Sequence, residues 1–207
     1  MSSYNFEAQS WFEQLYLDAD NNMARVPWST PATNPHLQTW LTREAIDGTG
    51  KTALVIGCGL GDDAEALADY GFAVTAFDIS ETAIQWAKQR FPQSSVQYQA
   101  ADMFAPLAEW VGAFDFVLEI NIVQALPLSL RDRAISAESK FVAPHGHLLI
   151  ICFRRDSHDI APSGPPWALS RVELNQFEQH GLTPIQIEAY GHNPPFFRAH
   201  YSRSQLL

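Results

Sequence analysis

Three closely spaced glycines mark the stretch of this sequence that is best suited to bind a small molecule. Gly57, Gly59 and Gly61 close a strand-like apolar run that begins at Ala53, and a helix-like run follows them. Glycine lets the backbone turn sharply at this point, and a ligand can approach without a Cβ in the way. The pattern predicts a nucleotide-binding turn between a buried strand and a helix.

Two acidic residues follow at positions that suit a nucleoside. Asp78 closes the next strand-like run, 21 residues after Gly57, and its carboxylate can accept hydrogen bonds from both ribose hydroxyls. Asp102 follows the third strand-like run, beside Met103 and Phe104. It can accept a hydrogen bond from an adenine amino group while an apolar neighbour packs on the ring. A helix or turn cap is the alternative role for Asp102.

The charge of the glycine turn distinguishes between two nucleoside cofactors. A dinucleotide places its pyrophosphate at the N-terminus of the helix, where Asp62 and Asp63 would repel it. S-adenosyl-L-methionine (SAM) has no phosphate and carries an ammonium and a sulfonium. The acidic turn therefore favours SAM.

Composition excludes several classes of function. The chain has 207 residues and a formal net charge of −10, which disfavours binding to a phosphate backbone unless a local basic patch exists. The longest uninterrupted apolar run, 148–153, is far shorter than the roughly 20 residues of a membrane-spanning helix. Cys58 and Cys152 are the two cysteines, and each lies in an apolar segment, so no disulfide framework is expected. We expect a single cytoplasmic domain that binds neither nucleic acid nor a membrane.

Strand-like and helix-like runs alternate along the chain, which is typical of a parallel sheet with helices on both faces. The predicted strands are 53–57, 72–77, 95–99, 114–120, 146–153 and 184–189. Ser80 is predicted to cap a helix over 81–90, and Ser170 begins a capping-box pattern before a helix that ends at Gly181. A helix over 128–142 is predicted to stop at Pro144.

The first fifty residues do not follow this alternation. They predict an amphipathic helix with Trp11, Phe12 and Tyr16, a proline-bearing loop with Trp28, and a second helix over 35–46. We expect this segment to form a helical cap over the cofactor and substrate site. Trp11 and Phe12 are expected to pack the first helix onto the sheet.

These segments resemble class I SAM-dependent methyltransferases. The matching stretches, in the order of that family, are 54–64, Asp78, 101–103, 114–119 and 144–150. Three further stretches resemble the thiopurine S-methyltransferase-like branch, which methylates small thiols and related soft nucleophiles. They are 27–28 with 34–37, 125–131, and 164–170. His145 stands where the branch often has a glycine.

The resemblance implies a fold and a site. The fold is α/β and Rossmann-like, with a seven-stranded, mostly parallel sheet in the order 3-2-1-4-5-7-6, helices on both faces and an antiparallel strand 7 at 196–202. The implied reaction is methyl transfer from SAM to a small-molecule acceptor, which leaves S-adenosyl-L-homocysteine (SAH). The implied cofactor-binding residues are Gly57, Cys58, Gly59, Gly61, Asp78, Ile79, Asp102, Met103, Phe104 and Glu119. Glu119 and Trp28 are the catalytic candidates, and no metal is expected.

The need for a catalytic base depends on the acceptor. A thiol is partly ionised near neutral pH and needs no dedicated base, whereas an alcohol or a carbon acid needs one. The candidate bases are Glu119, His158 and His192. Both histidines are predicted more readily as exposed loop residues than as bases.

The acceptor pocket has several candidate residues. Trp28, Trp167 and Phe196 could form an apolar wall, with Arg154 or Arg155 in contact with an anionic substrate. Packing of the aromatic rings and a solvated arginine pair are the alternatives. Residues 154–167, rich in Pro, Ser, Asp and Gly, are expected to border the ligand crevice because they follow a strand.

Two other functions remain alternatives to a small-molecule methyltransferase. One is methyl transfer to a protein or an RNA, which would require a basic or extended groove. The other is a SAM-binding partner subunit without catalysis. We expect a monomer or a weak dimer.

Overall fold

The computed structural model describes residues 3–156 and 164–204, with side chains from residue 10 onward. The helices are α1 (Ser3–Ala19), α2 (Pro35–Arg43), α3 (Asp62–Asp69), α4 (Glu81–Arg90), α5 (Arg131–Phe141) and α6 (Arg171–Leu174). The strands are β1 (Thr52–Ile56), β2 (Ala73–Asp78), β3 (Gln97–Ala100), β4 (Phe114–Ile120), β5 (Val142–Phe153), β6 (Leu182–Tyr190) and β7 (Phe196–Arg203). They form one seven-stranded sheet in the order β3-β2-β1-β4-β5-β7-β6. This is the sheet order that the resemblance predicts, so the fold class is confirmed.

Strand direction also follows the prediction. β1 pairs with β2, β2 with β3, and β4 with β5, all in parallel. β7 is antiparallel to both β5 and β6. β1 is buried from Ala53 to its end, as expected for a strand covered on both faces.

The chain divides into two compact units, residues 1–102 and 103–207. The first contains β1 to β3 and α1 to α4, and a cluster of buried side chains joins α1 to α4 and the glycine turn. That cluster consists of Tyr16, Ala19, Val26, Leu60, Ala83 and Trp86. The second unit contains β4 to β7 with α5 and α6, and its buried aromatic residues include Trp110, Phe141, Phe177 and Tyr201.

The predicted caps are observed. The Ser80 hydroxyl accepts a hydrogen bond from the Ala83 N–H at 3.0 Å, and Ser170 forms the full capping box with Glu173. Gly181 adopts the left-handed conformation (φ 80°) after a helical segment, as a C′ glycine does.

Two helix boundaries differ from the sequence-based expectation. The chain leaves α5 in an extended conformation at Val142, which pairs with Phe114, so Pro144 lies inside β5 and does not end the helix. The helix predicted before Gly181 is one α-helical turn, α6, continued as a 3-10 helix over Asn175–His180. Apolar spacing does not distinguish 3-10 from α-helical turns over so short a stretch.

None of the helices in the described part of the chain is long and apolar enough to cross a membrane.

Candidate cofactor and acceptor site

The glycine turn has the backbone that its sequence predicts. Gly57, Gly59 and Gly61 all have positive φ angles, of 60°, 52° and 94°. A Cβ on Gly61 would lie 2.5 Å from the Tyr98 hydroxyl oxygen, and one on Gly59 would lie 3.2 Å from the Tyr16 hydroxyl oxygen. The positive φ angles therefore favour glycine at both positions, and the space at Gly61 is too small for a Cβ unless the Tyr98 side chain moves.

Asp78 joins this turn to the end of β2. Its Oδ2 accepts a hydrogen bond from the Gly59 N–H at 2.9 Å, and its Oδ1 accepts one from the Ser80 N–H at 2.9 Å. Burial raises the pKa of Asp78, although the hydrogen bonds from Ser80, Gly59 and Ile79 oppose that shift. Each carboxylate oxygen has a further lone pair, so Asp78 can also accept from ribose hydroxyls.

The two acids after the glycines have protein partners. Arg90 forms a bidentate ion pair with Asp62, with N–O distances of 2.5 and 2.7 Å. The Asp63 Oδ1 accepts a hydrogen bond from the Asn34 N–H at 2.7 Å, and burial raises the pKa of Asp63 to about 6. Our expectation that both carboxylates act as free negative charges on a cofactor is wrong for Asp62, because the guanidinium of Arg90 balances its charge.

α1 contacts the two turns that surround Asp78. Glu13 of α1 accepts hydrogen bonds from the Ser80 hydroxyl at 2.6 Å and from the Thr82 hydroxyl at 2.5 Å. Burial opposes the charge of Glu13, but these hydrogen bonds together hold its pKa below the usual value. Tyr16, one turn further along α1, is buried and reaches Gly59 with its hydroxyl. The first helix thus holds both the glycine turn and the start of α4.

Trp28 belongs to an aromatic cluster with α1. Its indole N–H donates to the Tyr16 hydroxyl at 3.0 Å, and its ring centroid lies 5.8 to 6.1 Å from those of Trp11, Phe12 and Tyr16. Trp28 is 44% exposed and Trp11 is 50% exposed. The expectation that Trp11 packs α1 onto the sheet is wrong, since among the described side chains of this helix the buried ones are Tyr16 and Ala19.

The predicted adenine-binding residues follow β3. Asp102 is half-buried and ends the first unit. Met103 is buried, and Phe104 lies under the guanidinium of Arg133, 4.3 Å from the ring centroid. The β3 end is held to β2 by the Ala101 N–H, which donates to the Asp78 carbonyl oxygen at 2.9 Å.

Glu119 is fully buried near the end of β4. Its Oε1 accepts hydrogen bonds from the backbone N–H groups of Ile122 and Val123, the latter at 3.0 Å. Burial raises the pKa of Glu119 to about 7, and the two N–H groups oppose the shift. The carboxyl group holds the turn after β4. Its expected catalytic role stays a prediction.

Gln124, in that same turn, holds two segments in place. Its Oε1 accepts from the Phe153 N–H at 2.7 Å, and its carbonyl oxygen accepts from the Trp167 N–H at 2.8 Å. Arg131 Nη2 donates to the Trp167 carbonyl oxygen at 2.7 Å. Hydrogen bonds to Gln124 and Arg131 thus hold both the N–H and the carbonyl oxygen of Trp167.

Arg155 is part of a charged network and is not a solvated surface residue. Glu173 forms ion pairs with both Arg131 and Arg155, the latter at 2.8 Å. The hydrogen bonds from Ser170 and from Arg131 hold the pKa of Glu173 below its usual value, against the effect of burial. Arg155 also donates to the Ala168 carbonyl oxygen at 3.1 Å. Its partners give this arginine a structural role.

The remaining candidates pack against other side chains, are exposed, or lie outside the described residues. Phe196 packs against Phe153 and Tyr190, with centroid distances of 4.9 and 5.9 Å. His192 is exposed. His158 lies outside the described residues. In the described part of the chain, no three His, Cys, Asp or Glu residues are grouped so that they could hold a metal ion.

The sequence analysis missed Glu13 and Gln124. Both act through long-range hydrogen bonds, between Glu13 and residues 67 and 69 positions away and between Gln124 and a residue 29 positions away. No local pattern signals such a partner. Glu173 did carry a signal, because the capping box requires an acid at its position.

These features together fit a nucleoside cofactor on the carboxyl ends of β1 and β2, and the sheet order is that of the class I SAM-dependent methyltransferase fold. A solved structure of the Burkholderia thailandensis 1,6-didemethyltoxoflavin-N1-methyltransferase, with its substrate and SAH bound, has a similar fold. Its TM-score is 0.75 at 17% identity, over 99% of this chain and 92% of that chain.

Sequence comparison identifies the family. Residues 17–190 match the family described as thiopurine S-methyltransferase (TPMT). The chain therefore belongs to the thiopurine S-methyltransferase family of SAM-dependent methyltransferases, and SAM is the cofactor that this membership assigns to it.

Two curated relatives are methyltransferases of different kinds. The Caulobacter sp. (strain K31) ubiquinone biosynthesis O-methyltransferase is 32% identical over 56% of this chain and 48% of its own length. The Arabidopsis thaliana probable thiol methyltransferase 2 is 29% identical over 66% of this chain and 58% of its own length. The chain thus spans about half the length of these curated relatives.

Proposed function

We propose that this chain transfers the methyl group of SAM to a small-molecule acceptor, and that the acceptor is a thiol or a similar soft nucleophile. One observation carries the cofactor half of this proposal. Asp78 is buried against the glycine turn and accepts the Gly59 N–H, and its remaining lone pairs support the proposal that it also accepts hydrogen bonds from a ribose on that turn.

The choice of acceptor rests on the family and on the chemistry of the described residues. The family is named for S-methyl transfer, and one relative is named a probable thiol methyltransferase. A thiol with a pKa of about 8.5 supplies some thiolate at neutral pH without a protein base. Oε1 of the buried Glu119 carboxyl accepts two backbone N–H groups, so this residue has a structural role that does not require it to act as a base.

The residues of the site position the reactants. SAM supplies an electrophilic methyl group on a sulfonium, and transfer of that group needs an in-line approach and the exclusion of water. We propose that Asp78 and Ile79 hold the ribose and that Gly57, Cys58, Gly59 and Gly61 lie along the methionyl part. Asp102, Met103 and Phe104 are proposed to hold the adenine.

Two residues are proposed to act on the acceptor side. Glu119 is proposed to shape the turn at the end of β4, beside the methyl donor. Trp28 is proposed to cover the donor from the aromatic cluster of the first fifty residues. The contacts of Glu13 with Ser80 and of Tyr16 with Gly59 support the proposal that this segment is a cap on a single methyltransferase domain.

The remaining proposals concern the cellular location, the binding partners and the oligomeric state of the enzyme. Both cysteines are free thiols, which supports a cytoplasmic location. The net charge of −10 supports an enzyme that does not bind nucleic acid. We propose a monomer or a weak dimer, and sedimentation velocity at several protein concentrations would test this.

Calorimetric titration with SAM and SAH is the experiment that tests the proposal first. We expect both to bind, and a Kd above roughly 100 µM for both would contradict the assignment of the cofactor site. A panel of thiols, selenols, amines and phenols, scored by SAH release, then tests the acceptor. Thiols should have the highest kcat/KM. Faster turnover of phenols would overturn the thiol proposal and leave methyl transfer intact.

A further inference from the structure

Three buried carboxylate oxygens in the second unit have no hydrogen-bond partner among the described residues. They are Oε2 of Glu119 and both side-chain oxygens of Glu138. Both residues are 0% exposed. A buried carboxylate without a partner is strongly unfavourable, so two ionised groups at this position would destabilise the fold.

α5 packs against both β4, which carries Glu119, and β5. Glu119 pairs with Ile150 of the neighbouring strand, and Cys152 lies two residues further along the same strand. Partners across a ladder and residues two apart point to the same face. The Cys152 thiol is buried, which raises its pKa, and the charges of Glu119, Glu138 and Arg131 also act on it. Arg131 and Glu138 lie seven residues apart on α5, on one side of that helix.

The charges around this cluster balance only if one of the two acids is neutral. Glu173 is one carboxylate with two guanidinium partners, Arg131 and Arg155, which leaves one positive charge in excess. An ionised Glu119 balances that charge. An ionised Glu138 would add an uncompensated negative charge. Burial and the charge of Glu119 both raise the pKa of Glu138 well above its usual value.

We propose that Glu138 keeps its proton at neutral pH and donates it in a hydrogen bond to Oε2 of Glu119. Glu138 is thereby a positioning residue for the turn after β4. This inference rests on the proposed function, in which that turn borders the acceptor. Glu119 then uses Oε1 for the N–H groups of Ile122 and Val123 and Oε2 for Glu138.

The positioning effect extends from this pair to the acceptor side. Gln124 is the residue that follows the two N–H groups held by Glu119, and it holds the Phe153 and Trp167 backbones. A shift of the turn after β4 would therefore move Trp167. The proton between the two acids joins α5 to this turn, because Glu138 lies on α5 and Glu119 on β4.

Other charged groups also lie on α5 and on the elements that pack against it. Arg203 of β7 donates to the carbonyl oxygens of Ser139 and His180. Asp115 lies four residues before Glu119 on β4. The remaining charged or titratable groups on α5 and the packed 3-10 helix are Asp132, Arg133, Lys140, Glu178 and His180.

Two variants of Glu138 separate the shared proton from simple packing. E138Q keeps a neutral donor of the same shape, whereas E138L removes the donor and leaves Glu119 Oε2 unpaired. At neutral pH we expect E138Q to have the kcat and acceptor KM of the wild type and to be at least as stable, because holding the Glu138 proton already costs the wild type free energy at that pH. E138L should unfold at a lower temperature and raise the acceptor KM by roughly tenfold or more, with a smaller change in kcat. Equal losses in both variants would overturn the proposal.

The pH dependence has a defined sign. A carboxyl whose pKa is higher in the folded than in the unfolded state stabilises the fold below its unfolded pKa, and this contribution is lost as pH rises through the folded pKa. E138Q cannot lose that proton. Its unfolding temperature relative to wild type should therefore increase as pH rises from acidic to alkaline values. A difference that does not change with pH would contradict a protonated Glu138.

Infrared spectroscopy detects the proton directly, without any methyl transfer. The difference between the wild-type and E138Q spectra at neutral pH should contain a protonated-carboxyl C=O stretch that shifts in D₂O. If E138Q leaves the protonated-carboxyl region unchanged, Glu138 does not carry the proton and the inference fails. Because neither the infrared nor the stability measurement requires SAM, failure of the proposed function would be distinguished from failure of this inference.

Discussion

Asp78 accepts a hydrogen bond from the Gly59 N–H at 2.9 Å, and this bond joins the turn after β1 to the end of β2. The glycine turn and the acid are 19 residues apart along the chain. Each is a weak signal by itself, because glycine turns and strand-ending acids occur for many reasons. Their direct contact supports the proposal that both belong to one cofactor site.

We expect Asp78→Ala to weaken SAM binding by about 1.5–3 kcal/mol, because the variant removes charged hydrogen bonds to the ribose. Isothermal titration calorimetry measures this change directly. Asp69→Ala is the matched control, since Asp69 is an exposed acid on α3 and should not change the affinity. If Asp78→Ala binds SAM as tightly as the wild type does, the ribose is held elsewhere.

Asp63 should make stability depend on pH. Its pKa is raised to about 6 by burial, so the carboxyl stabilises the fold below its unfolded pKa and loses that contribution as pH rises through about 6. Asp63→Asn keeps an oxygen acceptor for the Asn34 N–H and cannot ionise. At pH 7 it should be more stable than the wild type by about 1–2 kcal/mol, and the gain should shrink at pH 4. Urea unfolding at both pH values tests this, and a gain of equal size at pH 4 would argue against the shifted titration.

Removal of the Trp28 side chain should impair the reaction more than the fold. Trp28 is 44% exposed, so Trp28→Ala should lower stability by only about 1 kcal/mol. If Trp28 covers the methyl donor, the same variant should raise the KM for SAM or for the acceptor. Trp11→Ala is the matched control, because Trp11 is in the same cluster and is similarly exposed but is not the donor to Tyr16. Identical kinetics for the two variants would remove Trp28 from the site.

Glu173 should be more important for stability than an exposed acid of the same type. Glu173→Gln leaves the guanidinium groups of Arg131 and Arg155 without their carboxylate in a largely buried position, at a cost of about 3 kcal/mol. Glu44→Gln is the control, because the Arg43–Glu44 pair is 39% and 38% exposed and contributes at most about 0.5 kcal/mol. Thermal unfolding compares the two. A loss for Glu173→Gln no larger than that for Glu44→Gln would contradict the network's structural role.

Glu119→Ala should destabilise the second unit. It leaves the N–H groups of Ile122 and Val123 without their acceptor in a buried turn, which costs about 2–4 kcal/mol. Glu119→Gln retains a carbonyl oxygen at the same position and should recover most of the stability. The activity of Glu119→Gln toward a thiol then tests the remaining catalytic prediction: retained activity excludes a required base, and complete loss at normal stability supports one.

The sequence was sufficient for much of the fold and for the backbone of the glycine turn. β4 has the predicted bounds, Phe114–Ile120, and the caps at Ser80 and Ser170 are observed because local hydrogen bonds within three residues determine them. The positive φ angles of the glycine turn likewise follow from residue type.

The ion-pair partners of the charged side chains were less predictable from the sequence. The acid at Asp62 suggests a free negative charge by sequence, yet Arg90 lies 28 residues away and neutralises it. Arg155 suggests a solvated residue, and it pairs instead with Glu173. In both cases the charged partner is far away in the sequence, and only the folded structure brings the two groups together.

The amino-acid sequence by itself determined the strand order of the fold, through the family that it resembles, and the backbone of the glycine turn. Only the tertiary structure decided which carboxyl groups are charged, which are buried without a partner, and which helix contacts Gly59. The physical reason is the distance along the chain between the groups that interact. Backbone conformation depends on neighbours in sequence, whereas burial and ion pairing depend on groups that folding brings together from distant parts of the chain.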